Sequence, residues 1–123
     1  MSYTRRIVGT QEEENKGPCT IHLKHVSSDE VEVVPEGSLS RDDMNEFQTW
    51  LDKALQGGHR IIALNFAEVT TLSSSAIGKI LRFKRTCDEM GRKLVVRHCS
   101  AEMLLLLKMI KFDALIQIES EGG

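Results

Sequence analysis

Ile61-Ile62-Ala63-Leu64-Asn65-Phe66-Ala67-Glu68-Val69-Thr70-Thr71-Leu72-Ser73-Ser74-Ser75-Ala76-Ile77-Gly78-Lys79-Ile80 is the stretch whose reading decides the fold. It begins as a near-continuous apolar run, the pattern of a strand buried on both faces. It ends with apolar residues at helical spacing. Between the two lie a short polar connection and three consecutive serines. Serine is a favoured N-cap, because its hydroxyl accepts from amides that the first helical turn leaves unpaired. The same amides and the helix dipole attract anions. A serine hydroxyl at this junction therefore suits a phosphate, bound or covalent.

Outward from that stretch, strands and helices alternate. His59 to Phe66 reads as the central strand. The helix after the serines runs from Ser74 or Ser75 to Met90, ended by Gly91, with Ala76, Ile80, Phe83, Cys87 and Met90 on one stripe. Ile77 and Leu81 flank that stripe. Lys79, Arg82, Arg85 and Glu89 lie opposite, as a solvated face or a surface steering an acidic partner. Upstream, Ser40 caps a helix over Arg41 to Gln56, with Asp42 and Asp43 in its first turn and Gly57-Gly58 at its end. Its buried stripe is Met44, Phe47, Leu51, Ala54 and Leu55, with Trp50 beside it.

Before that helix, Cys19 to Val26 alternates as a half-buried strand, Ser27 to Glu30 turns, and Val31 to Pro35 returns. Pro35 marks an irregularity or an edge. Downstream, Leu94-Val95-Val96 forms a strand and Ser100 caps a third helix, Ala101 to Ile110, that is apolar almost all round. One stripe of it can face the core. The remaining apolar residues pack elsewhere in the domain or form a partner or homodimer surface over residues 101–110. Ala114 to Ile118 gives a last strand. Residues 1–18 read as a mobile tail or a loose strand at Arg6-Ile7-Val8, and residues 120–123 as a frayed end. The expected class is α/β: a mixed, mostly parallel sheet of four to five strands with helices packed on it.

The serine segment resembles the STAS domain, the fold of bacterial anti-sigma-factor antagonists, and the resemblance covers about residues 19–119. In that family an apolar strand ending in Asp or Asn leads, through a valine and an apolar residue, into Asp-Ser-Ser-Gly or Asp-Thr-Gly-Gly. Leu64-Asn65-Phe66, Val69 and Leu72 match, and Ser73-Ser74-Ser75-Ala76 stands at the motif, followed by Ile77-Gly78. Ser73 replaces the aspartate and Ala76 the glycine. The family's earlier turn resembles Gly-Glu-Leu-Asp: Gly37 and Leu39 match, while Ser38 and Ser40 replace the acids. A glycine that often ends the third helix is Lys111 here.

The resemblance implies a partner-switching regulator that binds an anti-sigma factor or related serine kinase and is phosphorylated at Ser74. Partner contacts are implied at Ser73, Ser75, Ala76, Ile77, Lys79, Gly37 and Ser40. It also leaves open an accessory subunit of an ABC-type lipid transporter, with a threonine at the place of Ser74, or a STAS scaffold that is never phosphorylated.

Composition narrows the classes. A chain of 123 residues suits one domain, with 41% apolar and 28% charged residues. A formal net charge of -2 and few aromatics argue against nucleic-acid binding. No apolar run reaches the ~20 residues of a membrane span, and no signal-peptide core opens the chain, so a cytoplasmic protein is expected. Cys19, Cys87 and Cys99 lack CxxC spacing and read as reduced thiols. Cys19, His22 and His25 cannot converge from one strand, and His98-Cys99 point apart, so no metal or cofactor is expected. An enzyme is disfavoured. The acid pairs Asp42/Asp43 and Asp88/Glu89 diverge on their helices, His59 and His98 are isolated, and the serines lack both a G-x-S-x-G elbow and a Walker lysine.

Overall fold

Alternating apolar residues build the sheet. In the computed structural model, which describes residues 19–119, β1 is Thr20–His25 and β2 is Glu30–Leu39. A 3-10 turn, Arg41–Asp43, leads into α1, Met44–Gln56. Then come β3 (Ile61–Asn65), β4 (Val69–Leu72), α2 (Ser74–Glu89), β5 (Lys93–Arg97) and α3 (Ala101–Met109). A second 3-10 turn, Phe112–Ala114, precedes β6, Gln117–Glu119. The N-terminal tail with its Arg6-Ile7-Val8 strand, and residues 120–123, lie outside the described residues.

The strand order is β1-β2-β3-β5-β6, with β4 also paired to β2. Only β1 runs antiparallel to its neighbour. This is the expected mixed, mostly parallel sheet, with six strands in place of four to five. The additional strand is β4, whose Val69-Thr70-Thr71-Leu72 is too short and polar to stand out as a strand. β2 accommodates it by running on past Pro35 to Leu39. Its first half pairs with β3 from Glu30 to Val33, and its second half with β4 from Gly37 to Leu39. Pro35, which has no N–H to donate, falls in the gap between the two ladders.

Val31 and Val33, Ile62 and Leu64, and Leu94 and Val96 point from successive strands into one core. Phe47 and Leu51 of α1, Ile80 and Phe83 of α2, and Met103 and Leu107 of α3 join that same core, so the three helices share one face of the sheet. Phe112 and Ile116 close it, which draws the chain into a 3-10 turn and delays the last strand to Gln117. Met90 departs from its expected place in the core: it caps the end of α2 and is 51% exposed.

On the opposite sheet face, Arg97 bridges strands. Its guanidinium pairs with Glu30 and Glu119 and reaches Glu32 at 3.8 Å, while Asn65 donates to Glu32 at 3.0 Å. Arginine's fork suits such multiple carboxylate contacts.

All three cysteines are free. Burial is the main reason the Cys19 thiol is pushed up to about 12, with Asp43 adding to it. Burial likewise raises Cys87 and Cys99 to about 11, so all three stay protonated at neutral pH.

The turn after α3 takes the left-handed conformation at Lys111 (φ 61°, ψ 29°) even without the glycine. A residue with a Cβ pays conformational strain there that glycine does not. Lys111→Gly should therefore stabilise the domain by about 1 kcal/mol in urea titration, with no loss of helical signal by circular dichroism.

Candidate functional site

Three backbone contacts bring the two halves of the serine motif together. Leu39 of β2 lies opposite Leu72 of β4, Gly37 N donates to Glu68 O at 2.8 Å, and Ser73 N donates to Leu39 O at 3.0 Å. Ser38 Oγ and Thr71 Oγ1 share a hydrogen bond at 2.5 Å. The Gly37–Ser40 segment thus borders the turn into α2. Gly37 is needed for its backbone: it sits at φ 105°, a conformation that side chains disfavour.

Ser73 is the N-cap of α2. Its Oγ accepts from Ala76 N at 3.1 Å, and its carbonyl takes the Ile77 amide at 3.0 Å. A neutral hydroxyl therefore does the capping at the position where the family carries an aspartate. Ser74 and Ser75 are the first two helical residues, whose amides have no acceptor within the helix. Ser74 is exposed and Ser75 half-buried.

The other expected contact residues divide. Ile77 is half-buried at the surface of α2. Ala76 is fully buried, so its methyl belongs to the core and cannot touch a partner. Lys79 is not a freely solvated charge: its Nζ donates to Gln48 Oε1 of α1 at 2.8 Å. Ser40 is drawn inward, its N–H and Oγ both donating to Asp43 Oδ2 at 2.8 and 2.9 Å. Asp43 is itself buried and also accepts from Cys19 N at 3.3 Å.

Helical geometry adds a residue that the sequence reading passed over. Ser74, Ile77, Gly78 and Leu81 follow the i, i+3, i+4, i+7 spacing of one helix face. Ser74 is exposed and the other three are half-buried. A Cβ placed on Gly78 would meet nothing within 4 Å, so no packing inside the domain requires glycine there. The face is weakly apolar, open above Gly78 and headed by a hydroxyl.

Among the described residues, the remaining titratable candidates pair locally or stand exposed. Asp42 is exposed while Asp43 is engaged, and Asp88 is paired with Lys84 at 2.6 Å. His22 lies 3.9 Å from Glu36, whereas His25 faces His59 at 5.3 Å between ring centroids. Among the described residues no group of three or more His, Cys, Asp or Glu is placed to hold a metal. No helix among them is long and apolar enough to cross a membrane.

The two neighbouring hydroxyls have separable roles. Ser73→Ala removes the cap and should cost about 1 kcal/mol of stability, whereas Ser74→Ala should change it by no more than about 0.5 kcal/mol. Equilibrium denaturation of both variants reads the difference.

The family model described as "Mlab, STAS domain" matches residues 23–117. Among solved structures, the phosphorylated form of the Bacillus cell-fate determinant SpoIIAA is similar with a TM-score of 0.63 and 18% identity, over 83% of this chain and 93% of that one. The unphosphorylated anti-sigma factor antagonist SpoIIAA gives 0.64 and 18%, over 82% and 88%. A putative anti-sigma factor antagonist from Thermotoga maritima gives 0.71 and 18%, over 82% and 87%. These likenesses establish a shared fold. No curated protein sequence matches the chain.

Proposed function

The chain belongs to the STAS-domain family, and from that premise we propose that it is a partner-switching regulator controlled by phosphorylation of Ser74. The observation that carries this reading is the α2 face on which an exposed Ser74 leads Ile77, Gly78 and Leu81. Unmodified, that face docks an anti-sigma factor or a related serine kinase. Gly78 lets a partner approach the helix backbone, and Ile77 and Leu81 supply apolar contact.

Phosphorylation adds about -1.5 to -2 charges at neutral pH. Within the free domain that charge sits at a helix N-terminus, which favours it. Within a complex it must be desolvated and displaces an apolar contact. A penalty of only ~3 kcal/mol weakens binding by about two orders of magnitude. The modification thus acts on the complex and leaves the fold in place. No catalytic step falls to this chain.

A second reading, an accessory subunit of an ABC-type lipid transporter, is favoured by the exposed apolar side of α3, which suits permanent attachment. Capture of a transporter ATPase instead of a serine kinase supports it. A third reading, a scaffold never phosphorylated, follows from the neutral residues Ser38, Ser40 and Ser73, which give a kinase no carboxylate to recognise.

The test is affinity capture from native extract, then mass spectrometry of the bound proteins and of the serine peptide, with or without ATP. Phosphate on Ser74, and release of the partner by Ser74→Glu but not by Ser74→Ala, are expected. Modification confined to another residue, or equal partner binding by both variants, would overturn the switch.

Gly78→Ala separates docking from folding. It should stabilise the isolated domain by about 0.5–1 kcal/mol through helix propensity, and at the same time lower partner affinity in titration calorimetry. A tighter complex would show that the partner does not use this face.

A further inference from the structure

The third helix has a second apolar side that the core does not use. Met103 and Leu107 point inward, while Leu105, Leu106 and Met109 are 64%, 42% and 75% exposed on the opposite side. With Glu102 these three follow the i, i+3, i+4, i+7 spacing of one stripe. A continuous exposed apolar stripe of this kind marks an interaction surface.

The charges around the stripe identify its occupant. Glu102 lies in the first turn of α3 and Lys108 in the last, with Lys111 just beyond. All three are exposed. A second copy of the same helix, laid antiparallel across a two-fold axis near Leu106, places Glu102 of each chain against the basic end of the other. The helix dipoles then also run in opposing directions. The contact is isologous, so every favourable pairing is made twice. Nine residues span about 13 Å, enough for Leu105, Leu106 and Met109 of each copy to interdigitate as ridges into grooves. A parallel arrangement would set acid against acid and base against base.

We infer that the protein forms a two-fold homodimer through antiparallel packing of α3, with reciprocal Glu102 to Lys108/Lys111 pairing around a Leu105–Leu106–Met109 centre. This surface is distinct from the Ser74 face and does not depend on the switch proposed for it.

Sedimentation velocity on the full chain across concentration tests the inference. A reversible monomer–dimer equilibrium is expected. Leu105→Glu or Met109→Glu should weaken it on the order of a hundredfold, as for the central residues of an interface. Because both side chains point to solvent, circular dichroism should be unchanged. Glu102→Lys in one preparation, and Lys108→Glu with Lys111→Glu in another, should each dimerise about tenfold more weakly than the natural chain. Mixing the two should restore dimerisation, because every cross-pair then joins opposite charges. A monomer up to about 1 mM, beyond which a contact is too weak to be specific, would overturn the proposal. So would a dimer unaffected by Leu105→Glu and Met109→Glu, or a mixture that stays dissociated.

Discussion

The serine turn is held in place by backbone pairing between β4 and the far half of β2. Leu39 opposite Leu72 and the Ser73 amide on the Leu39 carbonyl leave the chain little freedom in where α2 begins. Leu39 is fully buried and Val69 nearly so, which fixes the register of this ladder. A slip of one residue would turn both outward. The change of neighbour along β2 makes the arrangement possible. One strand serves β3 in its first half and β4 in its second, with Pro35 in the gap. The position of Ser74 depends on that short parallel pair.

Around this turn, hydroxyls stand where the family carries acids, and the structure shows how the local roles are kept. Ser73 caps α2 as a neutral acceptor, so the helix still opens where an aspartate would have opened it. Ser40 is tied back by Asp43, a carboxylate three residues further on that is buried and turned inward. The carboxylate of Asp43 thus supports this turn from its interior. A phosphate on Ser74 would meet neutral hydroxyls at Ser38 and Ser73, where fixed carboxylates would repel it. Under the proposed switch, a free domain with hydroxyls in those places would tolerate the modification better than one with acids there.

Most of the fold was legible because its signals are local. The apolar run of β3, the cap-and-stripe pattern of α1 and α2, and the alternation of β1 each need only a few neighbouring residues. β4 was not legible: Thr70 and Thr71 are exposed, and the strand exists only because β2 runs on to meet it. The Arg97 network escaped notice for a similar reason, joining residues of β2, β5 and β6 far apart in sequence. At the site, spacing placed Ser74 at a helix start and Ala76 on the buried stripe with Ile77 beside it, as the structure has them. The resemblance puts Ala76 among the partner contacts as well, and its full burial excludes that role. Gly78 was readable as a helix residue, yet its significance lies in the open space above it, which no sequence pattern records.

The two exposed faces of the helical layer are separate surfaces that lie near one groove. A shallow groove between β4 and α3, lined by Thr71, Leu72, Ser100, Met103 and Leu106, joins the apolar stripe to the strand that leads into the serines. A chain packed on α3 therefore borders Leu72, the residue before the N-cap of α2. Were occupancy of one face to alter affinity at the other, the coupling would act equally in both directions. A partner large enough to span the groove would compete with a second copy on α3, whereas one confined to the α2 face could bind either state. The size of the partner's footprint across β4 thus decides whether self-association opposes docking or merely accompanies it.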